Sequence, residues 1–545
     1  MSEALDAGLI ARWTFTSDSA EPIGIPLRVR NHGVRFREPG PRPDLGAARF
    51  DGRGSFLEVA DHRALHWGTR GFTIAGWVHT GGEDGDVVGD LLAKFDPDTR
   101  SGIHLGLLTS TGMTSTAQPN YRNLHFAIDG GSAPRWDDCG RPGAAVLVAA
   151  LKVADGALYA GTLETGATER GRLWRYDGDQ RWVDLGNPVG SNIVHSVAQF
   201  DGALYCGLGR FMGEGSALGP LPNRMPGGQV YRVTPDGRWT YCGHPGAEDA
   251  TPEDVPTVGY ASGKADDAFA LTVFRGRLYG VSNHRRGAFV YEGGERWTYV
   301  GPDLRILSLA IHQGELYALI NGGPVYRYEG GSSWAFCGCP PGSTQTYGAV
   351  TSEGRLYVGT WPEGDVHRYD GGEAWTALER VGYEREIMAM ALYNGKVYVG
   401  SLPMANVWRM DAERFRFVAT LDAAPAPLRR VWAMAVYQGR LFAGTLPSGR
   451  VCAMETGSVA TWDHAFPAGW RHVAAVREAG ALRLYVDGAV VATSRATGAP
   501  DLDVTTPRPL TIGFGANDFF RGALADLRLY DRALGAADVT ALARR

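Results

Sequence analysis

Apolar residues in this chain come in short runs, alternating or unbroken, and each run stops at a break rich in Gly, Asp, Asn or Pro. Residues 347–375 show the pattern: Tyr347 to Ser352, the break Glu353-Gly354, Arg355 to Thr360, a turn at Trp361-Pro362-Glu363-Gly364, Asp365 to Tyr369, then Asp370-Gly371-Gly372 leading to Trp375. Runs of this length between turn pairs predict β-strands joined by hairpins. Four such strands make one antiparallel blade.

The pattern recurs. Its outermost strand carries a signature first seen as Arg135-Trp136-Asp137-Asp138-Cys139-Gly140. It returns as Arg181-Trp182…Gly186, Arg238-Trp239…Gly243, Arg296-Trp297…Gly301 and Ser333-Trp334…Gly338, with weaker copies at Ala374-Trp375…Glu379 and Arg414-Phe415…Ala419. A spacing of about 46 residues lies in the range of β-propeller blades. Sets of the first three strands begin near Val146, Val194, Ala268, Arg305, Thr346, Glu386 and Arg430, seven in all, but the first signature precedes every set and the last set has none of its own. A seven-bladed ring in which Arg135–Gly140 supplies the outer strand of the final blade reconciles the two counts and leaves no open sheet edge there.

Gly395-Lys-Val-Tyr-Val-Gly400 resembles the second strand of kelch-like repeats, and Val325-Tyr-Arg-Tyr328 followed by Trp334 resembles their third and fourth. Gly-Thr or Gly-Ser replaces the paired glycines of that family. The turn Asp370-x-Gly372-x-x-Trp375 is similar to the Asp-box of sialidase-type propellers without its leading Ser. Neither a sialidase arginine triad nor the copper site of kelch-type oxidases can be matched residue by residue. The resemblance implies architecture, since propellers host many unrelated activities.

Residues 1–132 and 458–545 lack the repeat. Their segments Gly8–Phe15, Ala48–Gly52, Phe56–His62, Phe72–Val78, Gly469–Ala474, Leu482–Gly488, Leu510–Gly513 and Phe520–Leu534 resemble, in order, the two halves of a laminin-G-like (concanavalin A-like) jelly roll, closed by a short helix at Ala536–Ala543. The expected fold is therefore all-β. A seven-bladed propeller, residues 133–457, is inserted in one loop of a β-sandwich built from 1–132 and 458–545. The shared final blade brings the propeller's ends together, as an insertion requires, so the two readings support each other.

Composition adds little. The 75 glycines among 545 residues suit an all-β chain, and the net charge of −5 gives no reason to expect nucleic acid. No apolar run is long enough for a membrane helix. Met1-Ser-Glu-Ala-Leu-Asp6 lacks the features of a signal peptide, so the chain reads as cytoplasmic, or as secreted if a leader was removed. The six cysteines read as buried thiols in separate strands.

Candidate chemistry falls on the face built by the connections between blades and by those between each second and third strand. Long connections at 208–228 and 244–267 would form a wall or lid on one side of the central funnel there. The same face is expected to present His195, Arg210, His284, Arg285, Arg286, Tyr347, Trp361, Glu363, Glu384, Arg385, Glu386, Arg429 and Arg430. Arginines fork onto carboxylates or sulfates, aromatic rings stack on sugars, and His or Tyr moves protons, a mixture that suits an anionic saccharide. Ordinary solvated loop residues and blade-to-blade ion pairs are the alternative. The acidic stretch 248–267 is read as a solvated loop, a cation site being the alternative.

The laminin-G-like resemblance implies a structural Ca2+ bridging the Phe-Asp-Gly turn and a late strand, at Asp51 and Asp526; aspartates that merely cap their turns are the alternative. No His-Glu-x-x-His, Gly-x-Ser-x-Gly or Walker A motif occurs, and nothing calls for an organic cofactor. Three functions remain open. One is glycan recognition at the funnel, with Arg210, Arg285, Trp361, Glu363, Arg385 and Arg430 as ligand-binding candidates. Another is a polysaccharide lyase or glycosidase using His195, His284 or Tyr347. The third is a protein-interaction scaffold.

Overall fold

The computed structural model describes residues 5–82, 89–110, 112, 118–213, 216–223, 225, 227–246, 267–282, 286–495 and 502–545. Two sheets form a sandwich. One runs Ile23–Gly24, Leu9–Trp13, Arg521–Tyr530, Phe72–Thr80, Gly469–Glu478, Ala481–Val486, Ala489–Thr493, with Gly46–Asp51 also paired to Arg521–Tyr530. The other runs Val29–His32, Phe56–Val59, Leu510–Ile512, Gly89–Asp96, Ser101–Leu108, Asn123–Gly130, Ser458–Trp462. Strands from both ends of the chain interleave in each sheet, so neither half closes alone. Their facing sides bury one core that includes Trp13, Phe50, Trp67, Phe72, Phe126 and Phe520.

Between Arg135 and Glu455 the described strands form seven four-stranded antiparallel units, the first two joined by a single bridge between Leu163 and Ile193. The final unit takes Arg430–Tyr437, Arg440–Leu446 and Val451–Glu455 and adds Arg135–Asp138, with Trp136 opposite Met454 and Asp138 opposite Cys452. We number these blades 1 to 7 from Leu147–Ala154, and call the first strand of each blade its inner strand.

The signature tryptophan explains the repeat. Its ring packs within its own blade while its indole N–H donates to the outer-strand carbonyl of the preceding blade: Trp182 to Cys139, Trp239 to Leu185, Trp297 to Cys242, Trp334 to Val300 and Trp375 to Cys337, at 2.7–2.9 Å. The first of these pairs joins blade 1 to the strand that completes blade 7.

The sandwich sits on the propeller face formed by the turns between first and second strands. Gly156 N donates to Asp463 O, Glu353 N to Ala516 O and Asn394 Nδ2 to Thr456 O. Described residues of the connection between two sandwich strands, 109, 110, 112 and 118–122, reach the inner strands. Gln118 Oε1 accepts from Val273 N at 2.7 Å while its Nε2 donates to Val273 O at 2.8 Å; Asn120 does the same with Val436 at 2.8 and 2.7 Å. Val153 N donates to Pro119 O and Ala349 N to Gly112 O. Inner strands are the edges of their blades, and their lone N–H and C=O groups would otherwise be unpaired. Blades 1, 3, 5 and 7 are thus bonded to this connection, and the described sandwich contacts named here all fall on this one face.

Candidate functional site

Each inner strand is bulged near its start. The pairing register skips Ala149, His195, Ala270-Leu271, Leu307, Tyr347-Gly348, Met388 and Trp432 in blades 1 to 7. A bulge re-aims the extra side chain, and bulges cluster beside functional sites. Sequence reasoning named His195 and Tyr347 but missed that they share one column with Met388 and Trp432. Aligning the seven repeats residue by residue would have shown it.

His195 is the most constrained of the set. Its Nδ1 lies 2.7 Å from Asp267 Oδ1, both residues are buried, and its ring stacks on Phe269 at 5.3 Å. Asp267 is fixed by a bridge to Gly209, where an added Cβ would collide with Asp267 Oδ1. A carboxylate on Nδ1 holds the proton there and leaves the Nε2 lone pair free to accept one. Sequence analysis read Asp267 only as part of the acidic stretch; the rest of that stretch, with His284 and Arg285, lies outside the described residues.

Two guanidinium groups stand over tryptophan rings on this face. Arg385 lies 5.1 Å from the Trp361 centroid, and Arg430 lies 5.4 Å from that of Trp432 with Nη2 3.7 Å from Glu386 Oε2. Burial raises the Glu386 carboxyl above its usual range, against the pull of Arg430. Arg210 is buried directly after the second strand of blade 2. Tyr347 donates its hydroxyl to Gln345 Oε1. Glu363 is exposed and pairs with Arg380 at 3.3 Å, the bland alternative for that residue. Glu384 accepts from Asn406 and Trp408 and Arg429 donates to Ala424 O, so both are structural.

The described part of the first long connection lies across the funnel rather than beside it. Phe211 N and O bond the Asn192 side chain at 2.8 Å, and Asn223 Nδ2 donates to the carbonyls of Glu169 and Gly190. Phe211, Leu218 and Leu221 then pack with Leu147, Ile193, Met388 and Trp432. Of the expected wall or lid it is the lid, covering the bulged apolar side chains beneath it. Beside this lid Arg385 is exposed and Trp361 half-buried, while Arg430 keeps 11% of its side chain exposed.

The two proposed Ca2+ ligands are not brought together. Asp51 pairs in register with Arg521, five positions from Asp526 along that strand. Asp51 Oδ1 accepts from the amides of Arg53, Gly54 and Ser55, which holds its carboxyl down at about 2 despite partial burial. It is the turn cap of the alternative reading. Asp526 binds Arg12 Nε at 2.6 Å and Arg528 Nη2 at 2.8 Å, so guanidiniums already neutralise it.

With this geometry in place, comparison with known proteins adds the following. Residues 448–540 match the family described as the concanavalin A-like lectin/glucanases superfamily. That stretch is concanavalin A-like. No curated protein matches the chain. Solved structures similar to 59% of the chain include virginiamycin B lyase from Staphylococcus aureus (9% identity, TM-score 0.44, 99% of that chain) and the WD40 beta propeller domain of Doa1 (13%, 0.40, 97%). YCF48 from Cyanidioschyzon merolae is a third (59% of this chain and 98% of that one, 12% identity, TM-score 0.39). Among the described residues, no helix is long and apolar enough to cross a membrane.

Proposed function

We propose that the propeller face opposite the sandwich contacts binds an anionic saccharide at its rim, with the sandwich as the base that plugs the other face. The observation that carries this reading is the pair of arginines held over tryptophan rings, Arg385 on Trp361 and Arg430 on Trp432. A guanidinium stacked on a ring keeps its planar fork in one orientation, which suits bidentate contact with a carboxylate or sulfate. The concanavalin A-like segment is compatible with carbohydrate binding and does not specify a sugar.

A second reading has its own support. His195 with Asp267 is a base with a fixed tautomer, and Tyr347 is a proton donor from the same column of bulges. In a lyase, His195 would take the proton next to a uronate carboxylate, a nearby arginine neutralising that group.

A panel of uronate, sulfated and neutral polysaccharides separates the readings. Saturable binding by acidic members only, weakened at least about tenfold in Arg385→Ala and Arg430→Ala, supports recognition. Release of unsaturated uronate ends by the wild type but not by His195→Ala makes it catalysis. Equal binding by wild type and both arginine variants overturns the rim site.

A further inference from the structure

Three sandwich strands meet the propeller with buried chemistry that neither reading uses. Asp90 on Gly89–Asp96, His104 on Ser101–Leu108 and His125 on Asn123–Gly130 lie side by side, all buried. One ligand atom from each falls within 4.8 Å of the others, and Asn517 from the far half of the chain closes the group. His104 Nδ1 is 3.1 Å from His125 Nε2. Asn517 Nδ2 is 3.2 Å from His125 Nε2 and 2.9 Å from Asp90 Oδ1, and His125 Nε2 is 3.9 Å from Asp90 Oδ1.

With the Asn517 amide oriented as it stands, hydrogen bonding does not satisfy this group. Asn517 Nδ2 then donates to His125 Nε2, which makes that nitrogen the bare lone pair. His104 Nδ1 can then meet it only as a second donor on the same lone pair. That tautomer leaves His104 Nε2 without its proton, and Nε2 has no donor; the neighbouring Asn394 Oδ1 has none either. His125 Nδ1 is likewise buried without a hydrogen bond of good geometry, on the side of the Asn123 carbonyl. Beside Asp90 lies a second buried carboxylate, Asp518, whose Oδ2 has no donor. Orphans on this scale are rare in a folded core.

A cation resolves the account. It takes the lone pairs of His104 Nδ1 and His125 Nε2, which moves both ring protons outward, to Asn394 Oδ1 and to the Asn123 carbonyl. Metal-bound histidines usually make such outer bonds. Half a turn of the Asn517 amide presents its oxygen in place of nitrogen, while its backbone N–H still holds Asp90 Oδ2 at 2.6 Å. Ligands about 2.0–2.2 Å from a tetrahedral ion lie about 3.3 Å from one another, close to most of the separations found here.

We propose that Asp90, His104, His125 and Asn517 bind one divalent transition-metal ion, Zn2+ or a close relative, at the interface of sandwich and propeller. Two imidazoles with two oxygens favour such an ion over Ca2+, which takes oxygen ligands. Three ligands precede the propeller insertion and one follows it, so the ion ties together the two halves of the sandwich. The role is structural, since the ligand set is closed by protein groups.

The test uses the full chain, stripped with a chelator and titrated with Co2+ and then Zn2+. The expected result is about one equivalent bound, with visible d–d bands of the intensity of tetrahedral Co2+ and no thiolate charge-transfer band, displaced by Zn2+ and not by Ca2+. His104→Gln and His125→Gln should lose stoichiometric binding, and Asn394→Ala should weaken it about 10–100-fold. Zn2+ should raise the melting temperature of the wild type but not of His125→Gln. Failure of the folded wild type to bind either ion overturns the site, as does a thiolate band or unchanged affinity in His104→Gln. If the histidine variants do not fold, the wild-type Co2+ spectrum and Asn394→Ala decide the matter alone.

Discussion

Gln118→Ala removes one side chain and strands two backbone groups. In the native chain the Gln118 amide pairs both the N–H and the C=O of Val273 at 2.7 and 2.8 Å, and both residues are buried. An unpaired buried backbone group costs about 1–3 kcal/mol, so the variant should lose about 2–5 kcal/mol locally, partly relieved if water enters. Asn120→Ala should do the same to Val436. Asn120→Asp should be worse than alanine, because a carboxylate accepts from Val436 N but places bare oxygen against Val436 O in a dry site. Hydrogen exchange resolves these effects by segment. Protection of 268–274 should fall at least about 30-fold in Gln118→Ala, with 430–437 little changed, and the reverse should hold for Asn120→Ala. Unchanged protection of 268–274 in Gln118→Ala would refute the idea that the loop satisfies the inner edges.

Other expectations are briefer. Trp297→Phe keeps most of the ring and loses its bond to the Cys242 carbonyl, so it should cost about 1–2 kcal/mol, against about 3–5 for Trp297→Ala, read by denaturant midpoints. Burial raises Asp463 to about 7, so its contribution to stability is full below its ordinary value of 3.8 and is lost as pH rises through 7. Asp463→Asn lacks this titration, so its stability relative to wild type should improve between pH 5 and 8 by on the order of a few kcal/mol, followed by melting at each pH. If the His195 couple does chemistry, Asp267→Asn should reduce turnover at least about 100-fold while leaving glycan affinity within about threefold. Gly209→Ala, whose added Cβ would meet Asp267 Oδ1 first, should act in the same direction.

Much of the chain's organisation was legible in advance because it rests on short-range rules. Alternation and turn pairs mark strands wherever they fall, and the signature tryptophan recurs in blades 1 to 5 as the donor to a neighbouring outer carbonyl. Candidate residues were legible only by type. His195 was named from its kind and place, but its partner Asp267 is 72 positions away and looked like one more acid in a charged stretch. Trp432 and Met388 went unnoticed because an apolar residue in a strand carries no sign of facing a channel, and the bulge that turns it there is invisible to a period-two pattern. Asp51 and Asp526 were paired by resemblance and separated by register, which no local pattern reports.

The sequence by itself determined the strands, the repeat and the interruption of one sandwich by another unit, since hydrophobic spacing and turn chemistry act between near neighbours. Only the tertiary structure decided which propeller face the sandwich covers, that a loop of one unit pairs the inner edges of the other, and that Asp90, His104, His125 and Asn517 converge. Those outcomes depend on distances between residues hundreds of positions apart, where burial and unpaired polar groups, rather than local preference, set the free energy.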